Sequence, residues 1–365
     1  MKILILANDD VGLYKFRKEL IEELISQDHE VAISLPYGKY VDPFIDMGCT
    51  FFDTPIDRRG INPKTDLRLF KRYRQIIVRS DPDMVITYTI KPNIYGGIAS
   101  CMRGKKYSVN ITGLGTAFEK KGILRTIVVV LYRLALRRAE KVFVENSSIK
   151  RELLRHHICG AGKICVLNGA GVNTSYYSYL EYPKNPVFRF LYVGRVMKEK
   201  GMDELLLAMH RLKTEGYNVI LDVVGRYEDD YTAVINRYRE EGWLKYNGFR
   251  DDVRPYIAAC DCFVLPSYHE GMANTNLESA SCGRPLITSD IPGCREAVVD
   301  GATGFLCKSK DADSLYEAMK KMLSTEIDTR RAMGIAGREH MRRRFDKKYV
   351  VNNTLRTIDI SRNSL

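Results

Sequence analysis

Two doubly wound α/β domains facing each other across a cleft are the architecture that this sequence predicts. Three observations carry the prediction. At 365 residues the chain exceeds one ordinary hydrophobic core and suits two domains. Short apolar runs alternate with helical patterns, as parallel βαβ units require. The alternation then starts afresh near residue 188, after a stretch bearing Gly169, Gly171, Pro183 and Pro186.

The elements follow in order. KILILA (2–7) is a continuous apolar run, as expected for a strand buried on both faces. Residues 13–26 have helical periodicity, with Phe16, Leu20, Ile21 and Leu24 on one side. HEVAISL (29–35), DMVITY (83–88), KKYSVNI (105–111) and KVFVEN (141–146) read as further strands. The second series opens with FRFLYVG (188–194) and a helix from about Met202. It continues through NVILDVVG (218–225), LKYNGF, CFVLPS and PLITSD. The expected domains are 1–170 and 187–345, joined by a hinge over 171–186. Ligands of open α/β sheets bind at the carboxyl ends of the strands, so the chemistry is sought in the loops that follow each strand.

Composition narrows the function. Hydrophobic residues make up 45% and charged residues 28%, ordinary for a globular protein. The formal charge of +12 favours an anionic partner, and no nucleic-acid motif stands beside the basic stretches. Nine cysteines occur without a CxxC pair, which fits a reducing cytoplasm. Cys260 and Cys262 read as neighbouring core residues. The six histidines lack metal-ligand spacing, so no metal is expected. MKILILAND turns polar too soon for a signal peptide. The apolar run over 122–139 is broken by Arg125 and Arg133, short of the ~20 residues that span a bilayer.

The most informative stretch is HEGMANTNLESASCG, which places Glu270 and Glu278 at the two ends of seven intervening residues. A helix starting near Asn274 would offer the N–H groups of Gly271, Met272, Ala273 and Asn274 to an anion. The two carboxylates would then lie at most ~12 Å apart, each able to accept from sugar hydroxyls. That spacing suits a sugar, a diphosphate and a ribose in a row. Alone, it fits equally a surface helix with two solvated glutamates.

Other strand-end loops add to it. VGRVMKEKG brings Arg195 and Lys200 between a strand and a helix, where both could hold one diphosphate and stabilise its departure. They could also be solvated loop charges. NGFRDDV offers Phe249 and Arg250 to a flat base, or is an ordinary turn. DVGLYKF carries Gly12, which would let backbone approach the donor, but a full GxGxxG is missing, so a nicotinamide dinucleotide is disfavoured. ITGLGTAF, with Gly113 and Gly115, and KPNIYGG, with Lys91 and Asn93, would line an acceptor side or form turns.

The ordered set GRVMKEKG, NGFRDDV and PSYHEGMANTNLESASCGRPLITSDIPGCREAVVDGATGFL resembles the retaining family-4 glycosyltransferases of GT-B fold. In the first half, FRKELIEELISQDHEV, TIKPNIYGG and ITGLGTAF look like the subgroup that builds bacterial capsule, exopolysaccharide and lipid-linked glycans. The resemblance implies that Glu270 binds the donor sugar and Glu278 the ribose. Arg195 and Lys200 would hold the diphosphate of a nucleotide-sugar, and the 271–274 backbone would line the site. It also implies metal independence, and a last helix, about 346–360 within a segment 346–365, crossing back onto the first domain. Ala273 stands where the family often has proline. No histidine occurs between His29 and His156, so none is assigned to the first-domain loop where many relatives carry one.

The acceptor side is read from 122–141, where apolar residues alternate with Arg125, Arg133, Arg137 and Arg138. This pattern suits the surface of an anionic membrane presenting a polyprenyl-diphosphate-linked sugar, or a core helix with solvated arginines. The function expected is transfer of a hexose or N-acetylhexosamine from a nucleotide-sugar, UDP-linked by preference, to a lipid-linked glycan acceptor at the inner face of the cytoplasmic membrane. A UDP-sugar epimerase on the same scaffold and a non-catalytic nucleotide- or membrane-binding protein are the alternatives.

Overall fold

The computed structural model describes residues 1–58, 60, 62–114 and 122–359. It divides into two compact units, Met1–Ala170 joined by the chain from Lys348, and Gly171–Lys347.

The first unit runs β1 (Lys2–Leu6), α1 (Asp10–Ser26), β2 (Glu30–Leu35), α2 (Val41–Asp46), β3 (Thr50–Asp53), α3 (Pro63–Ser80), β4 (Met84–Tyr88), α4 (Gly97–Met102), β5 (Lys106–Ile111), α5 (Ile123–Leu136), β6 (Lys141–Val144), α6 (Ser147–Arg155) and β7 (Ile164–Val166). Its seven strands are ordered β3-β2-β1-β4-β5-β6-β7 and every pair is parallel. The core forms on both faces of this sheet because its central strands are apolar throughout: Ile3 and Ile5 point to one face, Leu4 and Leu6 to the other.

The second unit runs β8 (Phe188–Val193), α7 (Met202–Thr214), β9 (Val219–Val224), α8 (Thr232–Glu240), β10 (Leu244–Tyr246), α9 (Arg254–Ala259), β11 (Cys262–Leu265), α10 (Asn274–Ser281), β12 (Leu286–Ser289), β13 (Gly304–Cys307), α11 (Ala312–Ser324) and α12 (Ile327–Arg344). Its parallel order is β10-β9-β8-β11-β12-β13. The chain therefore reverses direction across the sheet between β8 and β11, as it does between β1 and β4. Such switch points leave an open crevice at the carboxyl ends of the two strands.

Several expectations need adjustment. The 171–186 stretch belongs to the second unit: Tyr177 and Leu180 pack against its core, and the Leu180 N–H donates to the Cys282 carbonyl. The unit boundaries fall at Ala170/Gly171 and Lys347/Lys348. The last helix, α13 (Lys347–Thr357), sends Val351 and Leu355, followed by Ile358, into the core of the first unit. Helix α1 begins at Asp10, not at 13, because the Asp9 side chain caps it by accepting from the Gly12 N–H at 2.6 Å. Cys260 and Cys262 are both buried, but only Cys262 lies in β11.

Candidate nucleotide-sugar site

The loops after β8 and β11 meet at the switch point of the second unit, and they meet closely. Gly201 closes the first loop at φ +73, and a Cβ there would stand 2.1 Å from the Pro266 carbonyl oxygen. Only glycine permits both the backbone angle and the approach. The Tyr268 N–H then donates to the Glu199 carbonyl at 2.9 Å, and its hydroxyl reaches Glu204 at 2.7 Å.

This fastening brings Lys200 onto Glu270. Lys200 Nζ donates to Glu270 Oε1, with the side chains 18% and 12% exposed. The buried Ser267 hydroxyl donates to the same oxygen at 2.8 Å. Behind the pair lies the loop after β12. Gly293, at φ +90, would place a Cβ 2.6 Å from the carbonyl oxygens of Glu270 and Gly271. Beside it, burial raises the Cys294 thiol pKa, with the Glu270 carboxylate adding to the effect.

Helix α10 starts at Asn274 as the sequence predicts, with Ala273 as a cap whose side chain makes no hydrogen bond. The Met272 and Asn274 N–H groups make no hydrogen bond to the described residues, so they remain donors at a positive helix end. Ala273 does not join them, because its N–H donates to the Gly293 carbonyl at 2.8 Å. Its side chain and that of Met272 are buried in the core. Gly271 adjoins the pair through Glu270.

One turn into α10, the Glu278 carboxylate lies near the Tyr177 hydroxyl. Burial first, then the Glu278 charge, hold the phenol far above its usual range. Tyr177 is itself anchored, its carbonyl accepting from Ser281 Oγ at 2.6 Å and Arg338 Nη1 at 3.1 Å.

Arg195 does not join Lys200 on Glu270. Its Nη1 stands 3.6 Å from Glu228 Oε2, in the loop after β9. Phe249, 41% exposed after β10, has the Arg226 guanidinium 4.2 Å from its ring centroid. Arg250 turns away and donates to the Tyr256 hydroxyl at 2.9 Å.

The family models now fit what the geometry presents. Residues 182–340 match the model "Glycosyl transferases group 1", and residues 2–146 match "Glycosyl transferase 4-like". The chain belongs to this glycosyltransferase family. It is 28% identical over 343 residues to the N,N'-diacetylbacillosaminyl-diphospho-undecaprenol alpha-1,3-N-acetylgalactosaminyltransferase of Campylobacter jejuni, covering 89% of this chain and 90% of that one. It is 24% identical to the capsular polysaccharide biosynthesis glycosyltransferase CapM of Staphylococcus aureus, covering 80% of each. Anabaena HepE, solved with UDP and glucose, superposes with a TM-score of 0.80 at 18% identity, over 98% of this chain and 99% of that one. The fold of this glycosyltransferase is GT-B.

The expected acceptor-side residues of the glycosyltransferase fare unevenly. Lys91 forms a partly buried ion pair with Asp66 at 2.7 Å, and the Tyr95 hydroxyl donates to the same carboxylate at 2.7 Å. Asn93 is not a surface contact. It is fully buried, accepting from Thr87 Oγ1 at 2.7 Å and donating to the Asn110 carbonyl at 2.8 Å, so its amide stitches the loop after β4 to β5. Gly12 offers no free amide, since Asp9 takes it. Among the described residues, nothing stands within 4 Å of where a Gly113 side chain would be. Gly115 lies outside the described residues.

Helix α5 buries Val129, Tyr132, Ala135 and Leu136 and exposes Ile123, Ile127, Val130 and Leu134, which share one face by helical spacing. No helix among the described residues is long and apolar enough to cross a membrane.

Sequence reading missed Ser267, Tyr177 and Glu228. Ser267 lay inside a run read only as strand, and the other two act from loops distant in sequence. A cavity of about 320 Å³ sits at the amino-terminal edge of the second sheet, lined by Phe188, Tyr217, Asp261 and Arg330 among others. It is at the end of the strands opposite Lys200 and Glu270 and shares no residue with them.

Proposed function

We propose that this glycosyltransferase is a retaining, metal-independent enzyme that moves a hexose or N-acetylhexosamine from a UDP-sugar to a polyprenyl-diphosphate-linked acceptor. The observation that carries the reading is the Lys200–Glu270 pair, held by Ser267 beside the open amides of Met272 and Asn274. In this reading the diphosphate lies on the helix end, where dipole, N–H groups, Lys200 and Arg195 all favour negative charge. Glu270 accepts from the sugar hydroxyls and Glu278 from the ribose, while Phe249 provides a face for the base.

The bond from the anomeric carbon to the phosphate oxygen breaks as the bond to the acceptor oxygen forms on the same face. The departing phosphate takes the acceptor proton. Lys200 and Arg195 stabilise the charge that develops on it, which is where positioned cations lower the barrier. Metal independence is part of this proposal, and activity in EDTA tests it.

The acceptor is inferred from the Campylobacter relative, whose name specifies a diphospho-undecaprenol acceptor. The apolar face of α5, bordered on one side by Arg133 and Arg137, suits an anionic bilayer where such a lipid resides. The enzyme would thus work peripherally on the cytoplasmic membrane.

The test is a screen of UDP- and GDP-sugars with and without a lipid-diphosphate acceptor, reading released nucleotide and product mass. Acceptor-dependent nucleotide release, a product heavier by one sugar with retained anomeric configuration, and activity surviving EDTA are expected. Donor epimerisation without acceptor, or nucleotide binding without turnover, would replace this reading with one of its rivals.

A further inference from the structure

We propose that Glu228 is a placeholder for the diphosphate: its carboxylate occupies Arg195 while the site is empty, yields it to the incoming nucleotide, and reclaims it as the nucleoside diphosphate leaves. The inference rests on Arg195 being a diphosphate-holding cation and adds a residue that this assignment lacks.

The two partners differ in freedom. Arg195 is half exposed, whereas the Glu228 side chain is three-quarters buried. Glu228 is also fixed to the loop that carries Arg195. The Val196 N–H donates to the Arg226 carbonyl at 2.8 Å, and the Glu228 and Asp229 N–H groups return to the Val196 carbonyl at 3.0 and 3.2 Å. The Lys198 N–H closes the set on Asp229 Oδ2 at 2.9 Å. Below, Tyr227 stacks on Tyr246 with centroids 4.5 Å apart, and the Tyr246 hydroxyl holds the Gly225 carbonyl at 2.9 Å. The carboxylate therefore stays while the long, solvated arginine side chain moves.

Charge gives the arrangement its consequence. Lys200 is countered by Glu270 and Arg195 by Glu228, two cations against two carboxylates. A guanidinium prefers the bidentate oxygens of a phosphate to a single carboxylate oxygen at 3.6 Å, so the exchange favours bound nucleotide. The ion pair that Arg195 must give up is set against every nucleotide bound, which lowers the affinity of the product. Glu228 thus weakens nucleotide binding in order to release it.

The experiment uses UDP as the probe and calorimetry at low and high salt. Glu228→Gln keeps the shape and removes the charge. It is expected to lower the UDP Kd by about two- to fivefold at low salt, the scale of one partly exposed charge pair. The gain shrinks at high salt, and product inhibition by UDP tightens in parallel. Impaired folding cannot produce tighter binding, so a structural role would not mimic this result. Arg195→Ala serves as the control. If it leaves the UDP Kd unchanged, the assignment of Arg195 falls and this inference with it. If it weakens UDP while Glu228→Gln leaves the Kd within twofold or raises it, the placeholder role alone falls. In an Arg195→Ala background, Glu228→Gln should change the Kd less than twofold; equal tightening in both backgrounds would overturn the pairing.

Discussion

Lys200 and Glu270 stand 70 positions apart and close one ion pair on the far side of a backbone contact that only Gly201 allows. The pair is a property of the strand order, because β8 and β11 are sheet neighbours and their loops face each other. Glu270→Gln and Lys200→Ala are each expected to lower transfer by about 10²- to 10³-fold, the usual effect of removing one group that meets developing charge. Far-ultraviolet circular dichroism should remain that of the parent. Near-normal turnover in either variant would remove the pair from the chemistry.

Tyr177 should act on donor affinity more than on turnover. Tyr177→Phe removes the hydroxyl that lies beside Glu278, worth about 0.5–1.5 kcal/mol, and should raise the donor KM by roughly two- to tenfold. Glu278→Gln removes the acceptor charge and should raise it by roughly ten- to a hundredfold. Initial rates against donor concentration separate the two parameters, and a change confined to kcat would contradict the assignment.

Arg284 offers a prediction about stability. It is fully buried and donates to the carbonyls of Ile257, Leu180, Glu181 and Ala258 at 2.7 to 3.0 Å. Arg284→Met fills the volume but strands those acceptors, and should cost about 3–4 kcal/mol. Urea denaturation followed at the lone tryptophan, Trp243, would measure it.

The exposed face of α5 should govern membrane attachment without governing the fold. Ile127→Glu and Val130→Glu place charge on positions already facing water, so thermal stability should hold within about 0.5 kcal/mol. Flotation with vesicles containing phosphatidylglycerol should fall several-fold. Unchanged flotation would remove α5 from the membrane contact.

Alkaline pH should erode stability through buried thiols. Burial pushes Cys49 up to about 11 and Cys260, Cys282 and Cys307 up to about 12. The folded chain therefore holds protons that the unfolded chain releases near pH 8.5. The stabilisation is complete below that pH and is lost as pH rises toward 11–12, by up to ~1.4 kcal/mol per pH unit for each thiol. Cys307→Ala should flatten this decline between pH 9 and 10.5, measured by denaturation at each pH; a slope equal to the parent's would contradict it.

Much of this was legible in residue order, and the failures have physical causes. Apolar runs marked the central strands because both faces of a parallel sheet are covered. The edge strands β3 and β13 have four residues each and β7 only three, too short for periodicity to register. Glu270, Glu278 and Lys200 could be picked out because helix ends and loop cations follow local rules. Glu228 could not, since its pairing with Arg195 depends on β9 lying beside β8. Asn93 misled for the converse reason: an asparagine after a strand looks like a ligand contact, but here the turn after β4 required its amide.

The position of α13 has a consequence for biosynthesis. Val351, Leu355 and Ile358 complete a core otherwise built from residues before 170. During translation the amino-terminal unit must wait, its apolar flank unsealed, until more than 340 residues have left the ribosome. The two halves of the chain consequently mature together, and a nonsense mutation past residue 347 would injure the unit synthesised first.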